Sequence, residues 1–313
     1  MNTKNNYKAW IYLAPSLILL IVFALYPLLD TFYISFLKDY NYISGESNGF
    51  TLENYQALFG IIPAPDDIPH LQGPINAFFE FALPNTLLIT FVTVPISIIL
   101  ALIIAVLINS IKVCQRFFQT LFFTPYVTNI IAVGMVFGVI FSHTGLFNSV
   151  FGLDNYWVEN NANTTYWNAM FVIFCDIIWY QLPFKILIFV AGLQGIGKTY
   201  YDAARIDSAS KIKQFFKITV PLLSPQIFYI SITSFINGFK EYQSIAGLFN
   251  RTGTTGNSYN LYTVVYFIYD QISVGYGDNV RYACCGAVIL FLIIFVFTIL
   301  QFWVSKKRVH YGA

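Results

Sequence analysis

Residues 84–109 read Pro-Asn-Thr-Leu-Leu-Ile-Thr-Phe-Val-Thr-Val-Pro-Ile-Ser-Ile-Ile-Leu-Ala-Leu-Ile-Ile-Ala-Val-Leu-Ile-Asn, without one charged side chain. About 20 consecutive apolar residues in a helix cross the ~30 Å hydrocarbon core of a bilayer, so this stretch alone specifies a membrane span. Five further stretches qualify, at 11–36, 117–141, 167–191, 222–241 and 282–304. The first carries no small-x-small cleavage pattern near its end and reads as a retained span rather than a removed signal peptide. The expected architecture is therefore all-α and polytopic, with six transmembrane helices.

Composition agrees. Of the 313 residues, 57% are hydrophobic and 10% charged, and the mean hydropathy is +0.63. Soluble domains run near 45–50% apolar and about 25% charged. A soluble enzyme, a nucleic-acid-binding domain, a collagenous chain and a disordered tail are excluded. The four cysteines (Cys114, Cys175, Cys284, Cys285) and three histidines (His70, His143, His310) have no metal-ligand spacing, so no metal site is expected.

Charge gives the orientation. With the N-terminus inside, the cytoplasmic segments 1–10, 110–116, 192–221 and 305–313 hold 12 of the 17 Lys and Arg but only two acids, Asp202 and Asp207. The outward segments hold Lys38, Arg251 and Arg281 against ten acids. The positive-inside rule thus predicts that both termini are cytoplasmic. An irregular turn region is expected around Pro63, Pro65, Asp66, Asp67 and Pro69, and a Gly-, Thr- and Asn-rich loop at 250–260.

Two patterns lie on the long inward loop. Gly192 to Thr199 satisfies G-x4-G-K-T, but that phosphate cradle works only between a buried strand and a helix. Here it follows a membrane span, so nucleotide binding is not expected. The second pattern runs Tyr201-Asp202-Ala203-Ala204-Arg205-Ile206-Asp207-Ser208-Ala209 and continues to Ile218-Thr219-Val220-Pro221. It resembles the E-A-A-x3-G-x9-I-x-L-P signature of the inner-membrane subunits of bacterial binding-protein-dependent ABC importers, with Asp202 for Glu, Ser208 for Gly and Val220 for Leu. Leu13-Ala-Pro15, Tyr26-Pro27, the Thr51–Tyr55 run, Asn85-Thr86, Pro125-Tyr126 and Leu261–Tyr269 extend the resemblance to the sugar permeases of the maltose, lactose and glycerol-3-phosphate type. Asn250–Gly256 departs from the T-x-G-G-P usual there.

The resemblance implies a type I ABC importer permease fold, with 1–313 as one transmembrane permease domain in a multi-pass bacterial plasma-membrane protein. It implies that the chain is not an enzyme but the pore subunit of an ATP-driven carbohydrate importer. ATP and Mg would then sit on partner ATPase subunits, with no cofactor on this chain. The implied partners are a second homologous permease, two ATPase subunits and an extracytoplasmic solute-binding protein. A helix near 200–210 would dock on the ATPase through Asp202, Ala203, Ala204, Asp207, Ser208 and Ala209. The acid near its start is favoured by the helix dipole, and the small residues allow close approach.

Polar groups are costly in lipid and usually face a cavity or a neighbouring helix. Ile177, Tyr180, Gln181 and Phe184 share one helical face, bordered by Asp176, about 14 Å deep. Ser231, Ser234, Asn237 and Glu241 form a second stripe, and Thr128 and Asn129 adjoin Pro125. Aromatic faces beside amides suit a sugar. The resemblance places Tyr180, Gln181, Phe184, Ser234, Asn237 and Gly238 on the substrate pathway, and the stripes add Asn129 and Asp176. Lys185 and Lys240 read as snorkelling cations, and Gly134-x-x-x-Gly138 as a close helix contact. The alternative reading is a proton-coupled secondary transporter, or half of one, with Asp176 carrying the proton.

Overall fold

The computed structural model describes residues 6–62, 78–111, 115–159, 163–249, 261–274 and 279–308. The turn region Pro63–Pro69, the 250–260 loop with Arg251, and Lys4, His70, Lys112, Cys114 and His310 lie outside the described residues.

Among the described residues four helices are long and apolar enough to cross a bilayer: α1 (Trp10–Ser35), α2 (Phe78–Ser110), α5 (Tyr166–Gln194) and α11 (Val280–Lys306). Two further spans are broken. The pair α3 (Thr120–Val127) and α4 (Ile130–Ile140) bends by 104°, and the pair α7 (Lys211–Leu222) and α8 (Ser224–Phe239) by 67°. Counted as one span each, the pairs bring the total to six. Between them lie α6 (Lys198–Ile206), α9 (Gln243–Leu248) and α10 (Val264–Val274).

Prolines explain most of the irregularity. Ile21–Leu25, Phe78–Ala82 and Phe215–Thr219 are π-helical, and each ends two residues before a proline: Pro27, Pro84 and Pro221. A proline offers no N–H and its ring collides with the carbonyl four residues back. Widening the preceding turn relieves that collision without ending the helix. At Pro125 the chain instead tightens into a 3-10 turn, leaves helical geometry at Thr128 and restarts at Ile130. The Asn129 side chain accepts the Ile131 N–H at 2.8 Å and caps the new helix, as a short amide before an apolar run should. The continuous span expected over 117–141 is therefore corrected to two helices and a corner.

The contacts divide the chain into two compact units, Met1–Phe79 with Phe267–Phe291 and Glu80–Tyr266 with Leu292–Ala313. In the first, the buried Asn54 amide donates to the carbonyls of Ser35 and Leu37 at 3.1 and 2.8 Å, and the Tyr55 hydroxyl donates to Ser35 Oγ at 2.8 Å. The Thr51–Tyr55 run thus satisfies carbonyls orphaned at the end of α1. Cys285 Sγ lies 3.4 Å from the Ser35 carbonyl. The Asn48 amide and the Arg281 guanidinium, the latter at 2.6 Å, hold the Asp39 carboxyl below the usual carboxylate range. The outer face of α1 is bare: Tyr12, Phe23 and Leu29 are exposed, as a lipid-facing helix requires.

The second unit has its core where α2 meets α5, around Ala101, Ala105, Ile186, Phe189 and Val190, with Leu223 and Ile230 from the α7–α8 region. The buried hydroxyls of Thr86, Thr90 and Thr93 donate back to the carbonyls four residues before them, so this face of α2 is polar in composition but internally satisfied. Asn85 donates to the Tyr262 carbonyl at 2.8 Å, and Thr86 Oγ1 accepts the Val264 N–H at 2.9 Å. These bonds fasten the start of α10 to α2. Gly134 approaches Gly247 so closely that an added Cβ would lie 3.1 Å from the Gly247 Cα. The G-x-x-x-G of α4 is therefore the close contact its spacing suggests, made with α9.

Candidate functional site

The coupling-type segment is a short amphipathic helix and a turn. Gly197 precedes α6, and Asp207 follows it. Ser208 is left-handed at φ +53°, with its N–H bonded to the Arg205 carbonyl and the Ala209 N–H to that of Ala204. This crossed pair is the Schellman ending. It places at position 208 the backbone conformation that glycine tolerates and serine adopts only at a cost, so the departure at Ser208 falls on the residue with the least favourable backbone. Asp202, Ala203, Asp207 and Ser208 are exposed and Ala209 half-buried. Ala204 is 8% exposed, so its small side chain packs within this chain. Asp202 pairs with Arg205 at 3.1 Å, both well exposed. Ile206, Ile212 and Phe216 stand out beside them.

The phosphate-loop pattern has the wrong backbone. Gly192, Leu193 and Gln194 are the last residues of α5 and Lys198 starts α6. The N–H groups that a cradle would present at 192–194 belong to a helix, and no strand precedes them.

A cavity of about 610 Å³ opens between α3, α5 and α8. One wall is aromatic: the Tyr126 ring stacks on Phe184 with centroids 5.6 Å apart and lies 6.3 Å from that of Tyr180. The facing wall comes from α8, with Tyr229, Thr233, Ser234 and Asn237, followed by Lys240 and Glu241. Gln181 and Lys185, on α5 with Tyr180 and Phe184, also line it. Two turns of α8 and two of α5 bring these groups together through the helical repeat.

Five of the eight residues expected on the pathway line this cavity: Tyr180, Gln181, Phe184, Ser234 and Asn237. Three do not. Asn129 is committed to capping α4. Gly238 faces α2, where an added Cβ would lie 3.0 Å from Thr90 and 3.3 Å from Val94, so the glycine permits helix contact. Asp176 is fully buried and is not among the residues lining the cavity; it lies one helical turn before Tyr180, with Ser244 and Glu241 as the polar groups acting on it. Ser231 also leaves the stripe, accepting from Gln301 at 3.2 Å. Lys185 is the largest correction. It does not snorkel: it is 3% exposed, and its ammonium donates to Ser97 Oγ at 2.5 Å and to Gln181 Oε1 at 2.7 Å. The polar face of α2 lies within reach, so the side chain turns to hydroxyl and amide instead of the interface. Lys240 is exposed at the cavity. Sequence reading also passed over Tyr126 as a wall residue; its position next to Pro125 at the corner was the available signal.

The family model for the "binding-protein-dependent transport system inner membrane component" matches residues 97–310. The chain belongs to this family. It is 32% identical over 292 residues to the arabinooligosaccharides transport system permease protein AraP of Bacillus subtilis, covering 92% of this chain and 85% of AraP. It is 27% identical to the sn-glycerol-3-phosphate transport system permease protein UgpA of Escherichia coli O157:H7, covering 98% and 97% of the two chains. Among solved structures, a bacterial ABC transporter involved in import of the acidic polysaccharide alginate matches with a TM-score of 0.79 at 16% identity, over 98% of both chains. The protein is a multi-pass inner-membrane permease of the sugar ABC importer type, with the helical fold of such permeases.

Proposed function

We propose that this chain forms one translocation domain of an ATP-driven importer of carbohydrate, an oligosaccharide in particular. The carrying observation is the cavity. Its volume is typical of ligand sites, its stacked rings offer apolar surface to sugar C–H faces, and Gln181, Ser234 and Asn237 offer donors and acceptors to hydroxyls. The curated relatives named above transport arabinooligosaccharides and glycerol 3-phosphate, which favours saccharides and their derivatives.

In this reading α6 and its Schellman turn dock on a separate ATPase subunit, with Asp202, Asp207 and Ser208 exposed to it and Ile206 supplying an apolar contact. The working assembly holds a second permease of this family, two ATPase copies that carry ATP and Mg, and a solute-binding protein outside. A solved relative is in complex with a pentasaccharide-bound periplasmic protein, which supports the last partner. Both termini then lie in the cytoplasm, as the charge distribution indicates. Asp176, the carrier in the proton-coupled alternative, is not among the residues lining the cavity, which favours the importer reading.

ATP hydrolysis measured on the purified chain, alone and with its partners, tests this assignment. No turnover is expected from the chain alone. Turnover abolished by Lys198→Ala would overturn it.

A further inference from the structure

We propose that the cavity is built for a saccharide bearing an anionic group, a carboxylate or a phosphate, with Lys185 as the cation that receives it. This deepens the carbohydrate reading and rests on it. Lys185 is almost fully buried and lines the cavity. An ammonium has three donors, and holding it charged away from water is costly unless an anion comes to meet it. Two donors are used, on Ser97 Oγ and Gln181 Oε1. Both acceptors are neutral. Ser97 spends its own proton on the Val94 carbonyl at 3.0 Å, which fixes its oxygen as an acceptor toward Lys185. Among the described residues no carboxylate lies within ion-pair distance of Lys185.

The cavity's single carboxylate is engaged elsewhere. Glu241 Oε1 accepts the Ser244 N–H at 3.0 Å at the start of α9. Lys240 adds a second, exposed cation to the same cavity. The balance is two ammonium groups against one carboxylate already bound by backbone. The ammonium of Lys185 is thus held in place by two neutral acceptors with one donor left over, and its missing counter-ion is supplied by the cargo. A neutral oligosaccharide would leave it uncompensated. Gln181, whose carbonyl is taken by Lys185, keeps its amide N–H groups for the hydroxyls or the anion of the same ligand.

Uptake by cells carrying the complete transporter tests this. Strains with the native chain, its deletion, Lys185→Gln, Lys185→Arg and Lys240→Gln are given labelled trigalacturonate, glucuronoxylotriose and trehalose 6-phosphate as anionic probes. Maltotriose, arabinotriose and raffinose serve as neutral ones. Deletion is expected to abolish uptake of an anionic probe and spare the neutral ones; whether carboxylates or the phosphate are affected identifies the anion. Lys185→Gln should lower that uptake ~10-fold or more at equal membrane abundance, with partial retention in Lys185→Arg. Should Lys185→Gln fail to accumulate, Lys240→Gln decides, with an expected loss of about 3-fold and an unchanged rate overturning the proposal. Loss of a neutral probe alone, or wild-type uptake by Lys185→Gln, also overturns it and leaves the carbohydrate reading standing. A deletion that alters no saccharide uptake removes both.

Discussion

Two charged residues nine positions apart on α5, Asp176 and Lys185, sit in opposite kinds of surroundings. Around Lys185 the helix is open: the ammonium is matched by neutral oxygens and faces a cavity with room for a ligand. Around Asp176 it is sealed. Both carboxylate oxygens are buried with no hydrogen-bond partner among the described residues, and Ser244 Oγ beside them has none either. Behind lies α9, with all residues from Ser244 to Leu248 buried. The difference shows that depth and charge in a span do not identify a pathway residue. What decides is whether the space beside the group is filled by protein.

The sealed side gives the largest expected effect. An added Cβ at Gly247 would lie 2.8 Å from the Ile131 carbonyl oxygen and 3.2 Å from the Gly134 Cα, and both are backbone atoms with no rotamer to yield. Gly247→Val should destabilise the α4–α9 contact by about 3 kcal/mol, the upper part of the overpacking range. Membrane abundance and complex yield, measured by immunoblot and co-purification, should both collapse. Normal abundance would mean that the region behind Asp176 is looser than the geometry indicates.

The open side should respond differently. Gln181→Leu and Asn237→Leu each remove a group that faces the cavity. A hydrogen bond lost without replacement costs ~1–3 kcal/mol, or roughly 5- to 150-fold. Uptake should fall by that factor while abundance and co-purification stay near normal. Were abundance to fall first, these side chains would be fastening helices together instead of meeting cargo.

Much of this division was legible in the sequence. The aromatic–amide face of α5 and the Ser234–Asn237 stripe follow from the 3.6-residue repeat, and both reach the cavity. Asn129, placed on the pathway by its polar stretch, and Gly238, placed there by the resemblance, do not line the cavity, because neither signal fixes a helix's rotation. Asn129 sits at a proline-made corner, and Gly238 is turned one position round α8 onto α2. Of the two partners of Lys185, Gln181 is four residues away on the same helix, but Ser97 could not be read, since it lies 88 residues away on another helix. The long stem of Lys185 made snorkelling the economical expectation, and only the juxtaposition of α2 and α5 reveals the alternative. On the inward loop the opposite holds. Spacing placed the turn at residue 208, and its left-handed backbone is there.

The smallest effect is expected at Asp176 itself, and it bears most directly on the contrast within α5. Burying an unpaired carboxylate is costly, and an amide of the same shape removes the charge while offering donors to a site where Ser244 Oγ lacks a partner. Asp176→Asn should therefore leave membrane abundance equal or higher, and uptake within ~2-fold of wild type. That factor is about 0.4 kcal/mol, well below the loss expected at Gln181. A proton-carrying residue would behave otherwise, because an amide cannot release and rebind a proton in a transport cycle. Uptake measured from pH 5.5 to 8 separates the two: parallel profiles keep Asp176 in the sealed region, whereas loss of transport with loss of its pH dependence would place it on the pathway and erase the distinction between the two halves of α5.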